Sequence, residues 1–126
     1  MALFNRQVGP IALYGATGYT GRLVAAELAA AKADFVLSGR NRGKLESLAE
    51  ELDGNVAVQA AALDDEVALR SLLADCAAVI DCAGPFIRHG EPVLRAAVET
   101  ETHYLDTTGE QAYMRLAFDR YGPEAE

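Results

Sequence analysis

The chain has 126 residues, 51% of them hydrophobic, and a formal net charge of −8. This suffices for one domain with a core of its own and is too apolar for a disordered segment. The acidic balance argues against a general nucleic-acid surface but leaves room for a nucleotide ligand, whose phosphates need only local positive potential.

Cys76 and Cys82 lack metal-ligand spacing. They read as small core residues of a reduced, cytoplasmic protein rather than as a disulfide. No apolar run approaches the roughly 18 residues of a membrane span, and residues 1–7 lack the apolar stretch of a signal peptide.

The first predicted strand covers residues 11–14 and can begin as early as Val8, with Pro10 at its start because proline cannot donate to a ladder. Gly15-Ala16-Thr17-Gly18-Tyr19-Thr20-Gly21 follows, and a helix is predicted over 22–32, its inner stripe Val24, Leu28 and Ala31. Strand, glycine turn and helix together make a glycine motif credible as a dinucleotide site. Gly15 would allow the tight turn, Gly18 would let a pyrophosphate approach the backbone, and Gly21 would let helix and strand pack closely. The helix start would offer free N–H groups and the positive end of its dipole to phosphate. A glycine-rich turn without a ligand is the competing reading, and the flanking context weighs against it. The spacing, G-x-x-G-x-x-G, is one that NADP-dependent enzymes of the atypical short-chain type use.

The second strand is predicted over 34–38 and runs into Gly39-Arg40-Asn41-Arg42-Gly43-Lys44. An NAD site normally places a carboxylate here for the ribose 2′-hydroxyl. This chain has Ser38, Gly39 and Arg40 instead. Arg40 could stack on adenine and pair with a 2′-phosphate, with Lys44 or Arg42 adding charge, so the site points to NADP(H) over NAD(H). Solvated charges preceding a helix are the plainer alternative.

Leu45, Leu48, Ala49 and Leu52 give the next helix its apolar face, with Asp53-Gly54-Asn55 as its stop. A third strand is predicted over 56–62. Asp64 reads as the cap of a helix over 65–73. The fourth strand, 77–82, exits through Ala83, Gly84 and Pro85, small residues where a second loop would pass the pyrophosphate and the nicotinamide ribose. A helix is expected to start near Gly90, with Pro92 in its first turn and Val93, Leu94, Ala97 and Val98 inward. The fifth strand is 103–106. The last helix, 111–121, would carry Met114, Ala117, Phe118 and Tyr121 on one stripe.

Five strands alternating with helices predict an α/β domain: a Rossmann-type, doubly wound parallel sheet in the order 3-2-1-4-5. A ligand then belongs at the carboxyl ends of strands one and four, where the winding reverses.

The catalytic inventory is thin. None of the five tyrosines has a lysine four positions on, and Lys32 and Lys44 are the only lysines. The proton-donating tyrosine of the main short-chain dehydrogenases is therefore missing. There is no G-x-S-x-G, no P-loop and no metal set. His89, in a loop over 86–91, and His103 are isolated, and His89 reads more readily as a surface histidine than as a cofactor contact. Cys82 reads as core, and no catalytic residue can be named.

Taken together, four blocks resemble the saccharopine dehydrogenase-like NADP-binding domain, in particular the branch with trans-acting enoyl reductases. They are Tyr14 to Arg22; Ser38-Gly39-Arg40-Asn41 with Lys44-Leu45; Asp81-Cys82-Ala83-Gly84-Pro85-Phe86; and His103-Tyr104-Leu105-Asp106 with Thr108-Gly109-Glu110. The resemblance implies that Gly15, Thr17, Gly18, Tyr19 and Thr20 touch phosphates, that Arg40 and Asn41 hold the 2′-phosphate, and that Ala83, Gly84 and Pro85 line the nicotinamide half. Family members are longer. The resemblance therefore implies that residues 1–126 are the amino-terminal dinucleotide-binding domain of a two-domain reductase, whose second domain binds a small-molecule or lipid-precursor substrate. Hydride transfer to a carbonyl, imine or enoyl acceptor is the expected reaction, and a non-catalytic NADP(H) sensor or scaffold is the alternative. Apolar surface left on the last helix and near Phe86 would favour a homo-oligomer.

Overall fold

The computed structural model of the chain describes residues 8–52 and 54–125. In chain order its elements are β1 (Ile11–Tyr14), α1 (Tyr19–Ala30), β2 (Phe35–Ser38), α2 (Arg42–Glu51), β3 (Ala57–Val58), α3 (Glu66–Ala74), β4 (Ala78–Asp81), α4 (Phe86–Glu99), β5 (His103–Asp106) and α5 (Gln111–Ala125). The strands make one five-stranded sheet in the order β3-β2-β1-β4-β5, and every pairing is parallel. This is the doubly wound architecture expected from the alternation of strands and helices.

β1 is central, with Leu13 opposite both Leu37 and Ile80. Alternation along the strands sends two sets of side chains to opposite faces. Ala12, Tyr14, Val36 and Val79 pack with Leu69, Leu72 and Leu73 of α3 and Val93 and Ala97 of α4. Leu13, Phe35 and Leu37 pack with Ala25 of α1 and Leu45 and Leu48 of α2. Burying each such Leu, Val or Phe contributes roughly 1.5–3 kcal/mol, so both layers are needed to hold the short strands. Phe86, Leu94, Tyr113 and Tyr121 form a third cluster that fastens α5 to α4.

Several boundaries differ from the sequence-based expectations. α1 begins at Tyr19 rather than at residue 22, and its buried residues are Gly21 and Ala25, with Val24 and Leu28 flanking. Small residues carry the close contact, and Ala31 is exposed at the helix end. β3 is only two residues long, because beyond Val58 the pairing continues as single bonds, Gln59 N–H to Leu37 C=O and Ala61 N–H to Gly39 C=O. Asp65, not Asp64, caps α3, its Oδ1 accepting from the Ala68 amide at 3.0 Å.

α4 starts at Phe86, so Gly90 and Pro92 lie inside the helix and His89 is helical. The reason is a cap that comes from elsewhere in the chain: the Glu110 carboxylate accepts from the amides of Phe86 at 2.6 Å and Ile87 at 3.0 Å. α5 runs on past Tyr121 to Ala125, and its inward residues are Tyr113 and Tyr121. Met114 and Phe118 face outward, because Tyr113 is drawn onto Gly90 of α4 and turns the helix accordingly. Residues 1–7 and Asp53 lie outside the described residues. Among the described residues no helix is long and apolar enough to cross a membrane.

Candidate functional site

The carboxyl ends of β1 and β4 meet at two loops that touch. Gly15 leaves β1 with φ +76°, and a Cβ built on it would lie 2.6 Å from the Ala83 nitrogen. Glycine is required there both for the backbone angle and for the contact with the second loop. The amides of Gly15 and Ala16 both donate to the Ser38 carbonyl, which ties the turn to β2. A Cβ on Gly21 would collide with the Gly15 carbonyl oxygen and lie 2.8 Å from Ala16.

Gly18 is different. A Cβ there would meet only the Gly15 oxygen, at an ordinary 3.6 Å. The fold itself has room for a side chain at this exposed position, so the missing Cβ leaves a bare approach to the start of α1. That start also lacks an acceptor. α2 is capped by Asn41 Oδ1, α3 by Asp65 and α4 by Glu110. Among the described residues no side chain accepts from the first-turn amides of α1, and its first turn carries no acidic residue. Uncapped N–H groups, the positive dipole end and a vacant Cβ position fit a phosphate group.

At the exit of β2, Arg40 is exposed. Among the described residues neither Arg40 nor Lys44 has an ion-pair partner, whereas Arg42 pairs with Glu46 at 3.5 Å. Two cations at the exit of β2 and the start of α2 are thus without an ion pair among the described residues, which suits a 2′-phosphate. Asn41 is the α2 cap, its Oδ1 accepting from the Lys44 amide at 3.0 Å. Ser38 requires a correction as a cofactor contact. It is fully buried, and its hydroxyl donates to the Gln59 carbonyl at 2.6 Å, so its side chain holds β2 to β3 and does not face the crevice. Ala16 and Gly21 are likewise buried and build the turn from within.

The second loop begins beneath Ala83, whose amide donates to Asp81 Oδ1 at 3.0 Å. Asp81 is fully buried at the end of β4. Its other oxygen accepts from the Tyr104 hydroxyl at 3.3 Å, and Tyr104 in turn pairs with the Tyr113 hydroxyl at 2.7 Å. Burial raises the Asp81 carboxyl to about 7, opposed by the Ala83 and Tyr104 hydrogen bonds and aided by the Asp106 charge. Burial and then the Asp81 charge raise Tyr104 far above the usual phenol range. Tyr14, opposite Asp81 on β1, is pushed up to about 12 by burial and by Asp81, against the pull of Arg40. Its hydroxyl donates to the Ala61 carbonyl at 2.6 Å. Gly84 and Pro85 are exposed above this network.

A cavity of ≈ 590 Å³ lies elsewhere, between α3 and α4, lined by Leu63, Asp65, Arg70, Pro92 and Arg95 among others. Its arginines are already paired with Glu66, Glu91 and Glu99. It offers no uncommitted cation, and the glycine turn takes no part in it. Among the described residues no cluster of His, Cys, Asp and Glu could hold a metal ion.

The sequence profile of the saccharopine dehydrogenase NADP binding domain matches residues 11–122. The chain belongs to this family. The saccharopine dehydrogenase NADP-binding domain is thus the setting of the turn, and NADP is its cofactor. The chain is 34% identical over 120 residues to a trans-acting enoyl reductase of Mycobacterium tuberculosis, covering 91% of this chain and 29% of that protein. Apo saccharopine dehydrogenase (L-Glu forming) of Saccharomyces cerevisiae has the same fold, with a TM-score of 0.71 at 22% identity over 86% of this chain and 24% of that one. The NADPH complex of the Escherichia coli quinone oxidoreductase QOR2 superposes with a TM-score of 0.61 at 26% identity, over 73% of this chain and 34% of that one. The chain spans under a third of the M. tuberculosis reductase.

Three features that matter to the site escaped the sequence reading. Asp81 was detectable in principle, as a lone carboxylate inside the apolar run 77–82. The Gly15–Ala83 contact and the Glu110 cap join residues far apart in sequence, and no local pattern encodes either.

Proposed function

We propose that this NADP-binding domain serves a reductase in which the first loop holds the pyrophosphate, Arg40 and Lys44 hold the 2′-phosphate, and Ala83, Gly84 and Pro85 line the nicotinamide half. The observation that carries this reading is the uncapped α1 start beside Gly18, in a molecule whose next three helices are all capped by side chains. In this arrangement the amides of Tyr19 and Thr20 bind phosphate. Thr17 and Thr20 offer hydroxyl donors at the same turn. Arg40 selects the phosphorylated ribose, and Asn41 fixes the backbone that presents it.

When bound, NADPH supplies a hydride, and the protein's part is to orient the ring and exclude water. The acceptor would be a carbonyl, imine or enoyl group on a small molecule or lipid precursor. A further domain would present it, which agrees with relatives that are much longer than this chain. The exposed Leu105 and Phe118, 55% and 76% accessible, offer apolar surface for such a domain or for a second copy. A non-catalytic sensor or scaffold is the second reading. It is favoured by the hydroxyls of Tyr14, Tyr104 and Tyr113, which are all engaged internally and lack a lysine partner.

Titration with NADPH and NADH tests the site, with NADPH expected to bind more tightly. Failure of NADPH to bind at millimolar concentration would remove the reading. Oxidation of NADPH by this chain alone, against a panel of carbonyl, imine and enoyl acceptors, would overturn the assignment of substrate binding to a further domain.

A further inference from the structure

With Arg40 at the β2 end and phosphates at the start of α1, the remaining half of the dinucleotide lies toward β4 and β5. The groups there are unlike those at the β2 end. Asp81 and Asp106 stand opposite each other at the ends of β4 and β5, and the Glu110 carboxylate occupies the start of α4. The groups around Asp81 are Tyr14 of β1, Cys82 beside it, Tyr104 and Asp106 of β5, and Tyr113 of α5, with Glu91 of α4 acting on Tyr113. Among the described residues no cation pairs with Asp81.

We propose that Asp81, through its charge and its hold on the Ala83 amide, biases this site toward the oxidised cofactor, whose nicotinamide ring is cationic, over the reduced cofactor, whose ring is neutral. This rests on the placement of the nicotinamide half at the second loop given above. Asp81 acts as a positioning residue, since Ala83 and the loop lie between it and the crevice. The Ala83 nitrogen that Asp81 accepts from is also the atom that a Cβ built on Gly15 would approach most closely, so the carboxylate fixes the second loop where it meets the first. A buried anion interacts strongly with a nearby ring cation and not with a neutral ring. Because burial holds the carboxyl near neutrality, the bias switches on as Asp81 ionises.

The test is equilibrium titration of the chain with NADPH, followed by its fluorescence, and with NADP⁺ by displacement, between about pH 6 and about pH 8.5. The 2′-phosphate is common to both forms, so its own titration cancels in the affinity ratio. The ratio favouring NADP⁺ is expected to rise about three- to tenfold with pH in the native chain. It is expected to stay flat in Asp81→Asn. A ratio that is flat in the native chain, or that rises equally in Asp81→Asn, would overturn the inference while leaving the NADP site intact. Absence of binding by either form would overturn both. Should Asp81→Asn fail to fold, Tyr104→Phe serves in its place. Loss of the hydroxyl that donates to the carboxylate should move the midpoint of the pH profile upward, and an unmoved midpoint would also sink the proposal.

Discussion

Gly15 and Ala83 lie 68 positions apart in sequence, yet a single added carbon on Gly15 would sit 2.6 Å from the Ala83 nitrogen. A carbon added on Gly18, three positions after Gly15, would meet only the Gly15 carbonyl oxygen, at an ordinary contact distance of 3.6 Å. The two glycines therefore separate folding from binding. Gly15→Ala should cost stability, about 1–3 kcal/mol from the positive φ and the steric conflict together. Gly18→Ala should cost less than about 1 kcal/mol in urea unfolding, yet weaken NADPH binding clearly. Equal loss of stability in both variants would show that Gly18 also belongs to the scaffold.

Cofactor choice is expected to rest on Arg40. Arg40→Asp should weaken NADPH by roughly 1–3 kcal/mol, the scale of a lost charge-assisted contact, and leave NADH unchanged or improved. Parallel titrations with the two cofactors check this. A matching loss for NADH would make Arg40 a structural residue.

Asp81 gives stability a particular pH dependence. Its carboxyl rises from 3.8 unfolded to about 7 folded, because burial disfavours the charge. The folded state then binds the extra proton between those values, so this group's contribution is fully present below pH 3.8 and is lost as pH rises to about 7. Asp81→Asn should remove that loss. The stability of the variant relative to the native chain should climb with pH across this window, by at most about 1.4 kcal/mol per unit, and level off above it. Urea unfolding at a series of pH values measures the difference, and a difference that does not change with pH would show that Asp81 titrates normally.

The Glu110 cap can be removed without touching the sheet. Glu110→Ala should destabilise the fold by about 1–2 kcal/mol, since two amides at a helix start lose their acceptor and the dipole loses its counter-charge. Hydrogen exchange at Phe86 and Ile87 should accelerate more than exchange within β1. Unchanged protection at those amides would mean that water or another group replaces the carboxylate at no cost.

The sheet order was legible because apolar runs of four to six residues alternated with helical stripes, and parallel sheets with right-handed crossovers leave few alternatives. The first loop was legible because its glycines are adjacent in sequence. What failed was set by contacts between distant residues. Pro92 suggested a helix start near residue 90, but Glu110 allowed an earlier one. Phe118 suggested an inward stripe, but the contact of Tyr113 with Gly90 decided the rotation of α5. Ser38 followed the expected position of an adenosine contact, whereas its hydroxyl was claimed by the Gln59 carbonyl just past β3.

The central place of β1 orders the events of synthesis. Its register with β2 is available once residue 38 has been made, but its other edge waits for β4, and the turn at Gly15 has no wall until Ala83 arrives. A nascent chain emerging from the ribosome thus carries the whole glycine signature long before it carries the finished pocket. With the nucleotide placed as proposed, ligand can capture the domain only after the fourth strand has inserted, so that strand's arrival, and not that of the motif, would mark when the nucleotide begins to stabilise the fold.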